Sequence, residues 1–266
     1  MTPQRTRTDP LRWTFSDRDA PPTAPHVVSM TWRDGLFLHW PVAPDDVRPH
    51  VPDELTVETR DGEAWLSVLP FVLTNVGVRG SPPITRLAFP ELNVRTYVRY
   101  RGDPGLYFFS IDVGSAFVAA ATGRATRLPV HYARMRVSSG GTNEDEVVFS
   151  SDRNATPTDV GPLSRDGPLA RFSATYSPDG DSFTAEEGSL AYWLSERRRF
   201  YAPGNGGVLT GEIAHDPWPL QPAEVTIHEN TMFAANDLPM PTAEPQAYFC
   251  DGHRMTGSIL RRLRSD

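Results

Sequence analysis

The chain has 266 residues, of which 39% are hydrophobic and 10% aromatic, enough to bury a core. Its net charge of −7 and pI near 5.5 disfavour a nucleic-acid surface, because binding phosphates requires a clustered basic face. No apolar run approaches the ~18 residues of a membrane helix, so we expect a globular protein with no membrane or nucleic-acid partner.

Residues 1–25 are polar and lack the apolar stretch of a signal peptide. We predict a flexible N-terminal arm over 1–25, followed by a single β domain over 26–266. Cys250 is the only cysteine, which excludes an internal disulfide, favours a reducing compartment and suggests a buried core thiol. Together these features predict a cytoplasmic protein.

Twenty-six prolines and twenty glycines divide the chain into short segments rich in β-branched and aromatic residues. We predict strands at 26–32, 55–59, 64–75, 92–101, 106–113, 131–137, 147–151, 171–176, 208–214, 223–228, 247–250 and 254–260. Turn signals at 61–62, 102–105 and 251–252 predict hairpins and sequential antiparallel pairing. Helices are predicted at 44–50, 115–124 and 189–197, with polar loops at 138–146 and 154–167. The second helix is apolar nearly all round, so we expect it to be buried.

The strand predicted at 92–101 extends a polar alternation that begins at Glu91. Glu91, Asn93, Arg95 and Tyr97 share one face, while mostly apolar side chains share the other. Two interpretations remain open: an ordinary sheet with one wet face, or a curled sheet whose polar interior surrounds a small ligand. In the second, Arg95 binds a carboxylate or carbonyl group and Glu91 is its partner.

His131 and Tyr132 begin the strand predicted at 131–137. A single histidine there is either a hydrogen-bonded structural residue or an acid–base group, since its ordinary pKa suits proton transfer near neutral pH. The other histidines show no spacing typical of metal ligands, so no metal site is predicted. The sequence also lacks nucleotide, phosphate-loop and serine-nucleophile motifs, and we expect no cofactor.

The chain contains no lysine, so all 26 basic residues are arginine. Schiff-base catalysis requires an amine that loses its proton near neutral pH, which a guanidinium does not do. Chemistry that depends on a lysine imine is therefore excluded.

Four stretches resemble a known family, in the right order: WRDGLFLHWP at 32–41, FPELNVRTYV at 89–98, GLYFFS at 105–110 and DPWPLQ at 216–221. Together they look like the uncharacterised YqjF-like family, domain of unknown function 2071, over about residues 28–260. The resemblance implies an acetoacetate decarboxylase-like fold. That fold is α+β but mostly β: a curved, cone-shaped or partly open antiparallel β-barrel with a few short helices and a central cavity.

The decarboxylases of that superfamily use a lysine Schiff base in a Gly-x-Pro-Lys-Lys stretch. The most similar stretch here is 127–132, where Val130 and His131 stand at the places of the lysine pair. The resemblance therefore does not bring decarboxylase activity to this chain. It does imply the cavity and an acid–arginine pair, matched by Glu91 and Arg95.

Three functional hypotheses follow. The first is binding of a small carbonyl or carboxylate compound in a central polar cavity, without chemistry. The second is a lysine-independent enzyme of lyase or hydratase type that transfers protons on a small carbonyl substrate, and the third is a structural or interaction role. Candidate catalytic residues are Glu91 and His131, and candidate ligand-binding residues are Glu91, Asn93, Arg95, Tyr97 and Tyr132. The expected partner is a small-molecule ligand, and the oligomeric state, a homo-oligomer included, is left open.

Overall fold

The computed structural model describes residues 24–126, 128–140, 145–153, 169–204 and 207–263. The arm predicted at 1–25 and the loop predicted at 154–167 lie almost entirely outside these ranges. Strands dominate the described chain, and their bounds are β1 (His26–Val42), β2 (Thr56–Val57), β3 (Ala64–Val78), β4 (Leu87–Tyr100), β5 (Asp103–Val113), β6 (Val130–Tyr132), β7 (Arg134–Ser139), β8 (Val147–Asp152), β9 (Arg171–Pro178), β10 (Phe183–Thr184), β11 (Arg199–Gly204), β12 (Gly207–His215), β13 (Pro219–Asn230), β14 (Gln246–Ser258) and β15 (Arg261–Leu263).

Short α-helices interrupt the strands at α1 (Pro44–Val47), α2 (Ala116–Thr126) and α3 (Leu190–Ser195). The prediction that the second helix is buried is wrong, because Phe117 exposes 73% of its surface. An alanine-rich helix has little apolar side chain to remove from water, so partial packing on its neighbours is sufficient. Within the described ranges, no helix has the length and apolarity needed to cross a bilayer.

The main strands close into a ring. Its order is β12, β11, β5, β4, β3, β1 and β14, and β14 pairs again with β12, from Ile213 opposite Gly257 to His215 opposite Met255. The path continues from β14 through β13, β9, β8 and β7. Most pairs are antiparallel, as predicted, but β5 is parallel to both β6 and β11. The result is a ring of strands rather than a regular barrel.

The ring separates two hydrophobic cores, and β4 contributes to both. Leu92 and Val94 pack with Phe149 of β8 in one cluster, which we call the outer core. The opposite face of β4 contributes Tyr97 to a second cluster, the inner core, which includes Trp218. Strands β8 and β9, which lie off the ring, contribute side chains to the outer core and none to the inner core, so the inner core lies on the opposite face of the ring strands, toward the interior. Asn93, Arg95 and Tyr97 on that face of β4 are buried. The interpretation of β4 as a strand with one wet face is therefore wrong.

The strand predictions differ from the structure at several places, since β1 continues ten residues beyond the predicted 26–32 and β11 is not among the predicted strands. The hairpin predicted at 251–252 is wrong, because β14 runs straight through it, with Gly252 opposite Arg33 of β1. The strand predicted at 131–137 is two strands, and these pair with different neighbours, β5 and β8. The turn at 61–62 is present, with left-handed Asp61 and Gly62, but β2 pairs with β4. The expected burial of Cys250 is confirmed.

Candidate functional site

A row of polar side chains crosses the inner face of the ring. Strand register places His39 of β1 opposite Ser67 of β3, and Ser67 opposite Arg95 of β4. Paired residues project from the same face of a sheet, and Tyr97, two residues after Arg95, shares that face. All four side chains are buried. We call His39, Ser67, Arg95 and Tyr97 the polar row.

Three members of the polar row form a hydrogen-bonded triangle. His39 Nδ1 lies 2.7 Å from Ser67 Oγ and 3.1 Å from the Tyr97 hydroxyl, and Ser67 Oγ lies 3.0 Å from the same hydroxyl. The Tyr97 hydroxyl also donates to the backbone oxygen of Leu194 in α3, at 2.9 Å. Burial, reinforced by the positive charge of Arg95, holds the pKa of His39 well below its usual range, so the imidazole is neutral.

Arg95 is a buried cation without an acidic partner. Only 8% of its surface is exposed, and no carboxylate of the described residues forms an ion pair with it. Its Nε is buried and has no hydrogen-bond partner within the described structure. Burial lowers the pKa of Arg95, the neighbouring Tyr97 opposes this, and Arg197 adds to it. A guanidinium nevertheless stays charged at neutral pH, so the interior holds a positive charge that interacts with the Tyr97 hydroxyl but is not neutralised by any carboxylate of the described residues.

Glu91 and Asn93 lie further along the same face of β4. Glu91 is half-buried, and its removal from water raises its pKa to about 7, while an interaction with Asn93 opposes the rise and the nearby Asp112 adds to it. Asn93 is buried, and its Oδ1 has no partner among the described atoms. The expected ion pair between Glu91 and Arg95 is not formed, because four residues of strand separate their Cα atoms by about 13 Å. Glu91 and Arg95 therefore share one face of β4 without contacting each other.

The aromatic and arginine residues of α3 and the segment after it cover the Tyr97 end of the row. Trp193 packs on the Tyr97 ring with centroids 4.6 Å apart, and the Arg197 guanidinium lies 5.2 Å from that ring. Glu58 binds both Trp193 and Arg197, since its carboxylate accepts from Arg197 Nη1 at 2.8 Å and from Trp193 Nε1 at 3.1 Å. Unlike Arg95, Arg197 thus has an acidic partner.

His131 and Tyr132 do not join the polar row. His131 lies opposite Asp112 on the parallel pair β5–β6, where burial and the charge of Arg153 lower its pKa to about 4. Asp112 itself is paired with Arg153, with Nη2 and Oδ1 2.7 Å apart. Tyr132 exposes 39% of its surface, in contrast to the buried row.

His39 and Ser67 are the site residues that sequence reasoning missed. His39 stands within the stretch 32–41, and Ser67 is the one polar residue in the apolar run 64–73. A polar residue on an otherwise apolar strand is a signal for an interior contact, because a buried hydroxyl needs a partner. Its partner becomes known only with the register of β1 against β3.

Two other kinds of site are less well supported. An open pocket of about 550 Å³ lies on the surface between β1 and β14, and it is lined in part by Arg33, Arg254, Asp216 and Asp251. Both of its arginines are exposed, so water satisfies them without a ligand. Across the described ranges, no three His, Cys, Asp or Glu side chains come together in a way that could hold a metal ion.

Comparison with known proteins identifies the family. The model of the DUF2071 family, described as an uncharacterized conserved protein, matches residues 29–254. The chain belongs to this family. A DUF2071 relative, the uncharacterized protein YqjF of Bacillus subtilis strain 168, is 39% identical over 224 residues, which cover 84% of this chain and 87% of YqjF. The family predicted from the four sequence stretches is thus confirmed.

Solved structures confirm the predicted fold of this DUF2071 protein. The enduracididine biosynthesis enzyme MppR complexed with pyruvate superposes with a TM-score of 0.60 at 15% identity, covering 92% of this chain and 93% of MppR. Acetoacetate decarboxylase from Legionella pneumophila gives a TM-score of 0.55 at 11% identity, covering 92% of this chain and 90% of the decarboxylase. At such identities the likeness shows an acetoacetate decarboxylase-like fold and nothing about activity.

Proposed function

We propose that this protein binds a small carboxylate or carbonyl compound inside the ring, with Arg95 as the anion-binding group. The observation that carries the proposal is the buried guanidinium of Arg95, which among the described residues has an unpartnered Nε and no acidic neighbour. The resemblance to MppR, whose structure was solved with pyruvate, is compatible with a ligand of this size and charge.

The energetic argument rests on the cost of a buried charge. Removing a cation from water costs several kcal/mol unless an opposite charge or hydrogen bonds compensate for the lost solvent. Arg197, elsewhere in the same interior, meets this requirement through Glu58. No described carboxylate plays this part for Arg95, and a ligand carboxylate held by two parallel N–H···O bonds would supply both the charge and the acceptors.

The test is a thermal-shift and calorimetric titration with small acids: pyruvate, lactate, acetoacetate and 3-hydroxybutyrate. A ligand present at 100 times its Kd should stabilise the fold by roughly 2.7 kcal/mol. Arg95→Gln should abolish the shift while leaving the unliganded protein folded, because the substitution removes an uncompensated charge. The matched control is Arg254→Gln, a change at an exposed arginine of β14.

Retention of ligand binding by Arg95→Gln would contradict the assignment of Arg95. If none of the four acids produced a shift in the wild-type protein, binding of a small carboxylate would be contradicted. Loss of binding in the Arg254→Gln control would move the site to the surface pocket that Arg254 lines.

A second candidate function is proton transfer by Glu91. The observation that favours it is a carboxyl whose pKa burial raises to about 7, so that both protonation states are populated at neutral pH. Arg95 would then stabilise the negative charge that develops on a carbonyl oxygen. Incubation of acetoacetate or pyruvate in deuterated water, followed by proton NMR, distinguishes this enzyme from a binding protein. Deuterium should enter the ligand faster with the wild-type protein than in buffer alone, and at the buffer rate with Glu91→Gln.

A further inference from the structure

The imidazole of His39 uses one of its two nitrogens. Nδ1 contacts Ser67 Oγ and the Tyr97 hydroxyl, whereas Nε2 is buried and lacks a hydrogen-bond partner within the described structure. A neutral imidazole carries one proton, and the nitrogen that holds it donates while the other accepts. The contacts around Nδ1 therefore determine what Nε2 offers to a ligand.

Every contact in the triangle can be a hydrogen bond when the imidazole proton of His39 lies on Nδ1. The Tyr97 hydroxyl has one proton and donates it to the backbone oxygen of Leu194, which is only an acceptor. The Tyr97 oxygen then acts only as an acceptor toward Ser67, His39 and the neighbouring Arg95. If Ser67 donates to Tyr97 and His39 Nδ1–H donates to Ser67 Oγ, every short contact joins a donor to an acceptor.

The opposite assignment leaves repulsive contacts. If Ser67 donated to Nδ1, the Tyr97 oxygen and Nδ1 would face each other as two acceptors 3.1 Å apart. The Ser67 and Tyr97 oxygens, at 3.0 Å, would also have no proton between them. Buried polar atoms in such contacts lose their hydrogen bonds and are costly. The network thus favours a proton on Nδ1 and a bare lone pair on Nε2.

We infer that the ligand of this site is a hydroxy acid, whose hydroxyl donates to His39 Nε2 while its carboxylate binds Arg95. The inference rests on the proposed function and narrows its ligand class. His39 and Arg95 project from the same face two strands apart, about 10 Å between Cα atoms, and the charge of Arg95 is close enough to His39 to lower the pKa of the imidazole. An oxo acid of the same skeleton would place a second acceptor against the lone pair.

Matched ligand pairs test this inference by isothermal titration calorimetry. Lactate is compared with pyruvate, and 3-hydroxybutyrate with acetoacetate, since each pair differs only in the hydroxyl or oxo group. The hydroxy member of at least one pair should bind about tenfold more tightly, the effect of one net hydrogen bond inside a protein. Equal affinity, or tighter binding of the oxo acids, would overturn the inference and leave the proposed function intact. Absence of binding by all four acids would contradict both.

Tyr97→Phe provides a sharper variant test. Without the Tyr97 oxygen, Ser67 donates to His39 Nδ1, the imidazole proton moves to Nε2, and the preference should reverse toward the oxo acids. The matched control is Tyr107→Phe, a change on β5 at a tyrosine that packs against the outer core, and it should keep the wild-type preference. An unchanged preference in Tyr97→Phe would contradict the role of the triangle.

The protonated nitrogen is also observable without any ligand. Long-range proton–nitrogen NMR correlations of the imidazole rings distinguish the two tautomers, and loss of one ring signal in His39→Gln assigns the residue. We expect protonated Nδ1 in the wild-type protein and protonated Nε2 in Tyr97→Phe. A protonated Nε2 in the wild-type protein would overturn the inference even if Tyr97→Phe failed to fold.

Discussion

Titratable groups inside the ring differ in whether a partner compensates for the water they lose on folding, and this difference controls their pH behaviour. Arg197 is held by Glu58, whereas Arg95 has no acidic partner among the described residues. Glu91 has only the partial support of Asn93, so burial dominates its pKa. We therefore expect ligand binding from Arg95 and pH dependence from Glu91.

Glu91 should make the protein less stable as the pH rises through neutrality. Its pKa rises from 4.5 to about 7 on folding, so the folded state keeps a proton that the unfolded state releases between these values. The stability of the wild-type protein should therefore fall by about 3 kcal/mol relative to Glu91→Gln between about pH 5 and pH 7, and then level off. Urea unfolding at several pH values measures this difference.

The control for this experiment is Glu54→Gln, a change at an exposed glutamate before β2. Its stability should follow that of the wild-type protein at every pH. A constant difference between the wild-type protein and Glu91→Gln across the whole range would show that Glu91 is not protonated in the folded state near neutral pH.

At the level of single residues, the sequence predicts which face of a strand a side chain occupies better than it predicts which residues that side chain contacts. Period-two alternation correctly places Arg95 and Tyr97 on one face of β4. It does not show that this face is the interior, because an alternating strand is equally typical of a sheet with one wet face. His39 and Ser67 could not be joined to Arg95 from sequence, since their contact depends on the register of three strands.

At the scale of elements, a glycine and an aromatic ring together determine the shape of β1. A Cβ atom built on Gly35 would lie 1.8 Å from Trp32 Nε1, so the indole occupies the space that a side chain would need. Trp32 is also stacked on Phe71 of β3, with ring centroids 3.8 Å apart. The indole of Trp32 cannot move away without disturbing the inner core.

Gly35→Ala should therefore destabilise the protein by about 3 kcal/mol or more, the upper range for overpacking a core. The same substitution at Gly123 of α2 meets its nearest neighbour, the Val130 oxygen, at an ordinary 3.9 Å. Gly123→Ala should stabilise the protein by up to about 1 kcal/mol, because alanine is the better helix former. Chemical unfolding compares the two variants, and equal effects would contradict the close packing at Gly35.

The prediction of elements from sequence succeeded where local patterns decide and failed where distant partners decide. Periodicity and turn residues predict all three helices and most strands of the ring, but not β11 or the second half of β1. The sequence 251–252 has the composition of a tight turn, yet it continues β14 because β1 supplies a partner along its whole length. The short β6 separates from β7 because β5 pairs with it in parallel.

At the scale of the whole molecule, the ring depends on β14, which pairs with β1, β12 and β13. A chain ending at residue 245 lacks β14, so β1 and β13 lose their shared neighbour and the ring cannot close. A chain ending at residue 259 loses β15, which pairs with β12 at the edge of the sheet.

We predict that the chain ending at 245 shows no cooperative thermal transition, whereas the chain ending at 259 unfolds cooperatively. Circular dichroism during heating separates these outcomes, because a sheet that loses a central strand exposes both neighbouring edges and both cores. A cooperative transition in the shorter chain would mean that the open sheet is stable by itself.

The pairing of β1 with β14 also brings distant parts of the chain into contact, since His26 lies opposite Ser258 and the Ile259 N–H donates to the Pro25 oxygen at 3.1 Å. A short linker could therefore join these two points, and new termini could be opened at the exposed turn between β4 and β5. Such a circular permutant would keep every neighbour in the ring while changing which strand is synthesised first. The architecture is therefore cyclic: it requires that each strand of the ring keep its neighbours, but it does not require any particular strand to come first in the chain.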